Sequence, residues 1–252
     1  MVFENISFRD KFGEERKLEF NNFYCVDCME VLKLMPDKSI DLCIVDPPYG
    51  IGEDSDKIRE YNSKSCEAWR GRKPKEYVKK NWDNATPNIE YFTELQRVSK
   101  NQIIWGGNYF SDILRPTGSW IIWDKQVVMP TFSDGEMAWC SMRNSLKIVQ
   151  FLWAGYRKCE EVDRIHPTQK PVKLYEWILN NYAKQGDKIL DTHVGSASSL
   201  IACHNLGFQY VGFELDKEYY EQSLKRLETA KKQVSILDVI EKQENTQIGM
   251  EE

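Results

Sequence analysis

Apolar residues along this chain fall into short unbroken runs, separated by stretches in which they recur at helical spacing. Phe23-Tyr24-Cys25-Val26 is strand-like and ends in an acid, Asp27; Val31, Leu32 and Met35 then share one face of a helix over Met29 to Met35. Ile40-Asp41-Leu42-Cys43-Ile44-Val45 follows as a largely buried strand, which the consecutive prolines of Asp46-Pro47-Pro48-Tyr49-Gly50 must end by removing ladder donors. This is a β-α-β pattern. Residues 51–88 are polar and weakly periodic, a long loop or partly helical insertion, and loops of that length are usually functional or disordered. Beyond it the pattern predicts a helix over Ile89 to Val98 and strands at Gln102 to Trp105 and Ser119 to Trp123. Met137 to Met142 and Leu146 to Trp153 are expected to close the sheet as an antiparallel pair.

The last third is more regular. Pro171 opens a helix bearing Leu174, Tyr175, Ile178, Leu179 and Tyr182 on one side, with Gly186 as its stop. Lys188 to Asp191 predicts a strand, Ser196 to Leu206 a helix, Tyr210 to Glu214 a strand, and Asp216 the cap of a helix through about Ala230. The polar tail 231–252 is expected to fray. Alternating strands and helices predict an α/β, Rossmann-like fold: an open, mostly parallel twisted sheet with an antiparallel edge hairpin and helices on both faces. At 252 residues one domain spans 1–252, with a catalytic half at about 20–130 and a cofactor half at about 165–230.

No apolar run approaches the ~18 residues of a membrane helix, and the start lacks an export signal, so a cytoplasmic protein without a membrane partner is expected. Seven cysteines, odd in number and scattered, suit reduced thiols. Cys25 and Cys28 form a lone C-x-x-C with no second pair or histidine cluster, so no metal is expected. The net charge of −5 argues weakly against a polyanionic partner. Between Lys57 and Lys80, however, nine basic residues face three acidic ones, with Tyr61, Trp69 and Tyr77 interleaved. Lys57, Arg59, Lys64, Arg70, Arg72, Lys73 and Lys75 are therefore candidates to neutralise DNA phosphates, although a solvated basic loop has the same composition.

Four acids follow strand-like runs: Asp27, Asp46, Asp191 and Glu214. In an open parallel sheet these strand ends share one edge, where a ligand rich in hydroxyl and amino donors would satisfy them. Gly195, in Asp191-Thr192-His193-Val194-Gly195-Ser196, lets the backbone approach a ligand at a helix start. Glu214 lies 23 residues after Asp191, near the ~20 at which an acid reaches ribose hydroxyls. At Asp46 to Tyr49 the chemistry becomes specific. Methylating an aromatic amino group requires its lone pair to be drawn out of conjugation, which a carboxylate (Asp46) and a backbone carbonyl (Pro47) can do by accepting both N–H hydrogens. Pro47 also holds the loop rigid, Pro48 completes the motif, and Tyr49 can stack on an extruded base.

Asp46-Pro47-Pro48-Tyr49 resembles the catalytic motif of the DNA amino-methyltransferases that act on adenine N6 or cytosine N4. Asp191 to Ser196 is similar to their cofactor loop D-P-F-x-G-S-G, and His166-Pro167-Thr168-Gln169-Lys170-Pro171 to the segment preceding it. Tyr24 to Leu34 resembles their G-D-C-x-x-x-L stretch, and the motif order resembles the circularly permuted beta class. The resemblance implies S-adenosylmethionine as cofactor. Asp27 would lie at its adenine, Cys28 is a further candidate for the cofactor site, and the spacing of Glu214 from Asp191 suits the ribose. Thr168 and Lys170 would reach its methionine end, and Asp46, Asp191, His193, Gly195 and Ser196 would line the same site.

Thr192-His193 stands where the family has Pro-Phe, and Ala197-Ser198 where it has Gly-Thr; His193 could stack as the Phe does or act as a base. An Asp at position 46 favours adenine within the resemblance, and no Pro-Cys-Gln segment supplies the thiolate needed at cytosine C5. Target recognition is expected in 131–164, shared with the basic insertion 51–88. The implied partner is double-stranded DNA in a microbial or phage modification system, with the oligomeric state, a homodimer included, left open. RNA or protein-amide methylation, cytosine-N4 methylation and a DNA-binding subunit without turnover are the alternatives.

Overall fold

Alternation within the strands sets the layers of this protein. In Ile40–Val45, Leu42 and Ile44 point into one apolar cluster and Cys43 and Val45 into another on the opposite side of the sheet. A strand buried on both faces needs helices on both, and these are present. The structure, a computed structural model, describes residues 3, 5–52, 80, 83–127, 133–154, 157–159 and 164–248, the side chains of 154, 157, 158 and 234–248 excepted. The candidate DNA contacts Lys57, Arg59, Lys64, Arg70, Arg72, Lys73 and Lys75 lie outside the described residues.

A charged hairpin, β1 (Ser7–Arg9) and β2 (Glu15–Lys17), precedes β3 (Asn22–Cys25), α1 (Cys28–Leu32) and β4 (Ile40–Val45). After the insertion come α2 (Ile89–Val98), β5 (Ser99–Trp105), β6 (Trp120–Asp124), β7 (Gly135–Cys140), β8 (Lys147–Gln150) and a short ribbon of β9 (Trp153–Ala154) and β10 (Arg157–Lys158). The chain then forms α3 (Val172–Tyr182), β11 (Lys188–Asp191), α4 (Ser198–Asn205), β12 (Gln209–Glu214) and α5 (Lys217–Ile248). Eight strands form one sheet in the order β3-β12-β11-β4-β5-β7-β6-β8, parallel throughout except for β7. Leu174, Ile178, Leu179 and Leu200 cover one face; Val31, Leu32, Tyr91, Phe92 and Leu95 cover the other.

The helix starts are capped as their sequences suggest. Asp27 Oδ1 accepts from Met29 N, Asn88 Oδ1 from Tyr91 N and Asp216 Oδ1 from Tyr219 N.

Three expectations change. The segments 137–142 and 146–153 do not pair with each other: β6 lies between β7 and β8, antiparallel to the first and parallel to the second, so the antiparallel hairpin is β6–β7. The helix expected from Ser196 begins at Ser198, because Ala197 holds a left-handed φ of 61°. The last helix continues past Ala230 to Ile248 instead of fraying there.

From β11 the chain steps through α4 to β12, toward the β3 edge; from β4 it steps through α2 to β5, in the opposite direction. Strand order therefore reverses between β11 and β4, which pair directly, Leu190 opposite Cys43. The crevice beyond the carboxyl ends at such a reversal is where open α/β sheets bind ligands.

Candidate active site

Asp46 leaves β4 and Asp191 ends β11, so the two acids stand at adjacent strand ends on either side of the reversal, with Glu214 on the next strand and Asp27 after the one beyond. The four acids expected on one edge are brought together there.

The loop from Asp46 to Gly50 is held by contacts remote in sequence. Asp83, 1% exposed, accepts through Oδ1 from the backbone N–H of Tyr49 at 2.7 Å and of Gly50 at 2.9 Å; Gly52 N donates to Asp83 O at 3.0 Å. These bonds fix the turn after Pro48 and join the two ends of the insertion. The Tyr49 ring lies against Gly106, where an added Cβ would sit 2.1 Å from Cε1, and stacks on Tyr109 at 5.0 Å between centroids and 17° between planes. Gly106, just past β5, also has φ of 66°, so space and backbone both call for glycine.

The Asp46 carboxylate is engaged on both oxygens. Tyr49 Oη donates to Oδ1 at 2.6 Å and Lys170 Nζ to Oδ2 at 2.5 Å. Lys170, from the segment before α3, also pairs with Glu136 at 3.0 Å, and Glu136 with Lys125 at 2.7 Å. Burial raises the Asp46 pKa, with Lys170 opposing. For Lys170 burial favours the neutral form, but Asp46 and Glu136 outweigh it and keep the ammonium. Glu136 is likewise pushed up by burial, yet Lys170 and Lys125 bring it down to about 2, so it stays anionic. Burial, Asp46 and Glu136 hold the Tyr49 phenol well above its usual range, which leaves it a donor. Lys170 thus sits at the Asp46 carboxylate, while its backbone carbonyl accepts from Ser198 Oγ at 2.7 Å and so ties the site to α4.

The second loop is built from its own acids. Asp191 accepts from His193 N at 3.0 Å and Ser199 Oγ at 2.5 Å; burial raises its pKa to about 7. Glu214 accepts from Gly195 N and Asp216 N, each at 2.9 Å, and burial raises it as well. Gly195, at φ of 55°, supplies the turn, and its carbonyl accepts from Ser223 Oγ. Ser196 O accepts from Arg226 at 2.6 Å.

His193, one of the four residues that depart from the family loop, meets Tyr91 edge-on at 5.3 Å, and its Nδ1 lies 2.9 Å from Thr192 Oγ1, itself 2.7 Å from Tyr91 Oη. Burial lowers His193 to about 4. The ring is therefore a neutral, wedged plate at ordinary pH, a poor base but no source of repulsion toward a cation. Ala197 keeps the left-handed backbone that the family's glycine would adopt, at a cost of roughly 1 kcal/mol. Thr168 Oγ1 lies 3.0 Å from His166 Nδ1, and burial lowers His166 to about 3. Burial raises the thiols of Cys25 to about 11 and Cys28 to about 12, so neither is a ready thiolate. Among the described residues no group of three or more His, Cys, Asp or Glu could hold a metal ion, and no helix is long and apolar enough to cross a membrane.

Asp83, Glu136, Lys125, Tyr91 and Tyr109 were absent from the sequence-based site. Glu136 and Asp83 carried one faint signal each, an acid at the start of a strand and an acid closing a polar insertion.

A doubly covered sheet with acids across its order reversal is an arrangement at whose crevice open α/β proteins bind ligands. The Asp-Pro-Pro-Tyr loop at the adjoining strand resembles that of enzymes that methylate amino nitrogens. Residues 72–225 match the DNA methylase family of N6 and N4 methyltransferases. The type II methyltransferase M.HinfI of Haemophilus influenzae is 28% identical, over 81% of this chain and 67% of that protein. The crystal structure of the M1.HpyAVI–SAM complex superposes with a TM-score of 0.51 at 21% identity, covering 81% of this chain and 98% of that one. PvuII DNA methyltransferase, described as cytosine-N4-specific, does so at 0.51 and 12%, covering 84% and 92%. The chain belongs to the N6/N4 DNA methylase family. It is an S-adenosylmethionine-dependent DNA methyltransferase.

The donor set of the crevice fits that cofactor. Asp27 Oδ2 and the unused lone pairs of Glu214 can accept from amino and hydroxyl groups, a carboxylate having about four acceptor positions. Neutral His193 can lie beside a sulfonium without repelling it.

Proposed function

We propose that this enzyme methylates N6 of an adenine extruded from double-stranded DNA, as the modification partner of a microbial or phage system. S-adenosylmethionine supplies an electrophilic methyl group. The chain's part is to hold the amino group. Asp46 and the Pro47 carbonyl accept its two N–H hydrogens, so that the lone pair leaves conjugation, and Asp46, whose pKa burial raises, takes the proton that the nitrogen sheds. Asp27, Cys28, Thr168, Asp191, His193, Gly195, Ser196 and Glu214 hold the cofactor, and the basic residues Lys57 to Lys75 hold the phosphates. Lys170, between the two loops, keeps Asp46 oriented.

The observation that carries this is the pairing of β4 with β11, which sets the Asp46 loop and the 191–198 loop at neighbouring strand ends. Asp at position 46 supports adenine over cytosine. The test is to methylate duplex DNA with labelled cofactor and digest it to nucleosides. Label in N6-methyladenine is expected; label confined to N4-methylcytosine would overturn the base assignment. Absence of cofactor binding by calorimetry would leave only a DNA-binding subunit.

A further inference from the structure

Asp46 offers both oxygens to donors of its own chain, Tyr49 Oη and Lys170 Nζ. An incoming amino group competes with these two donors for the carboxylate, and wherever it takes the place of one, that donor needs another acceptor. A buried ammonium that loses its carboxylate without finding another stands several kcal/mol higher, so release without a second acceptor would close the pocket to substrate. Among the described groups one atom lies within reach of both donors. Glu136 Oε2 is 3.0 Å from Lys170 Nζ and 3.4 Å from Tyr49 Oη. Its other oxygen is held by Lys125 at 2.7 Å, which fixes the carboxylate in place. Glu136 starts β7, the one antiparallel strand of the sheet, and that reversed direction points the beginning of the strand toward the crevice.

We propose that Glu136 is a positioning residue that takes over Lys170 and the Tyr49 hydroxyl when the target amino group binds Asp46. The inference rests on Asp46 being the acceptor for that amino group. The Asp46–Lys170–Glu136–Lys125 chain of alternating charges is then a switch in which Lys170 moves a short way between two carboxylates, both already in contact. Glu136 stays anionic in either position, so no proton need move with the ammonium.

The test is steady-state kinetics on duplex DNA with Glu136→Gln, Lys170→Met, the double variant and Asp46→Ala, together with cofactor affinity by calorimetry. Gln keeps the shape but loses the charge, so Lys170 stays clamped on Asp46. A fall in kcat of about 10²-fold is expected, with cofactor Kd within about two-fold of the parent. The decisive comparison is the double variant. Removing the ammonium frees Asp46, so Lys170→Met should raise kcat when added to Glu136→Gln, although it lowers kcat in the parent. A purely structural role predicts additive loss and overturns the proposal, as does parental kcat in Glu136→Gln with Asp46→Ala inactive. If Glu136→Gln alone does not fold, the double variant is compared with Lys170→Met: with no ammonium to receive, loss of the Glu136 charge should leave kcat near that of Lys170→Met, and a further large loss overturns the proposal. An active Asp46→Ala would instead remove the acceptor role on which the inference rests.

Discussion

Asp83 lies 34 residues beyond Tyr49, yet one of its oxygens accepts the two backbone N–H groups that follow Pro48. At 1% exposure no water can replace it. Asp83→Ala leaves both donors unsatisfied in a buried turn, and at roughly 1.5–3 kcal/mol for each hydrogen bond to a charged group the pair accounts for about 3–6 kcal/mol. The energy is local to the loop that carries Asp46 and the Pro47 carbonyl, so the loop should relax before the sheet does. A displacement of about 1 Å at a reacting group costs about 10²-fold in rate.

The expected outcome is therefore a large drop in kcat, cofactor affinity close to the parent, and a melting temperature lowered by several degrees. Asp83→Asn distinguishes this from general damage. Because the same atom, Oδ1, accepts both bonds, an asparagine oxygen can replace it, and most of the activity should return. The assay is methyl transfer to duplex DNA alongside calorimetry and thermal melts. An Asp83→Ala enzyme with parental kcat, or an Asp83→Asn enzyme as impaired as the alanine variant, would refute the reasoning.

Further expectations concern charge and space. Asp191 has a folded pKa of about 7, above its ordinary value, so its stabilising contribution is complete near pH 4 and is lost as pH rises through 7. Asp191→Asn should abolish that loss, melting higher than the parent at pH 8 though not at pH 4.5, while weakening cofactor binding; identical melting profiles would count against the assignment. His166 and His193, lowered to about 3 and about 4, act in the other sense: their contribution is present above pH 6.5 and lost as pH falls toward 4 and 3, so acid unfolding should begin in that window. His193→Phe should shift its onset downward in a fluorescence melt. Gly106→Ala should displace the Tyr49 ring and reduce turnover with cofactor affinity retained, read by the same two assays. Replacing Arg70, Arg72 and Lys73 with alanine should flatten the dependence of log Kd for DNA on log salt by about 0.9 for each phosphate left without its cation.

Much of the site was visible in the chain before the structure. Ile40–Val45 and Lys188–Asp191 are strands buried on both faces, and such runs state their own ends, so the acids that close them could be placed at one edge. Glu136 and Asp83 could not, because the Tyr49, Gly50 and Lys170 groups they meet lie 33 to 87 residues away and nothing local marks an acid as one that will face a distant backbone or ammonium. The strands Ser7–Arg9 and Glu15–Lys17 are too short to carry a pattern, with Phe8 their one apolar residue; their turn is held by Asp10, which bonds Phe12 N, Glu14 N and Arg16 Nε. The pairing of 137–142 with 146–153 followed the tendency of successive strands to be neighbours, and the sheet places β6 between them. The early start assumed for the helix after Asp191 overlooked that Ala197 would take the left-handed turn of a glycine.

The bond from Gly52 N to Asp83 O has an architectural result. Where a chain departs and returns through one fastened doorway, what lies between can change in length and composition with little effect on the walls. Doubling such an excursion costs only about 0.6 kcal/mol in closure entropy. Enzymes sharing this scaffold could therefore exchange the sequences strung across the doorway, and with them the DNA contacts proposed for it, while the machinery beneath stays the same.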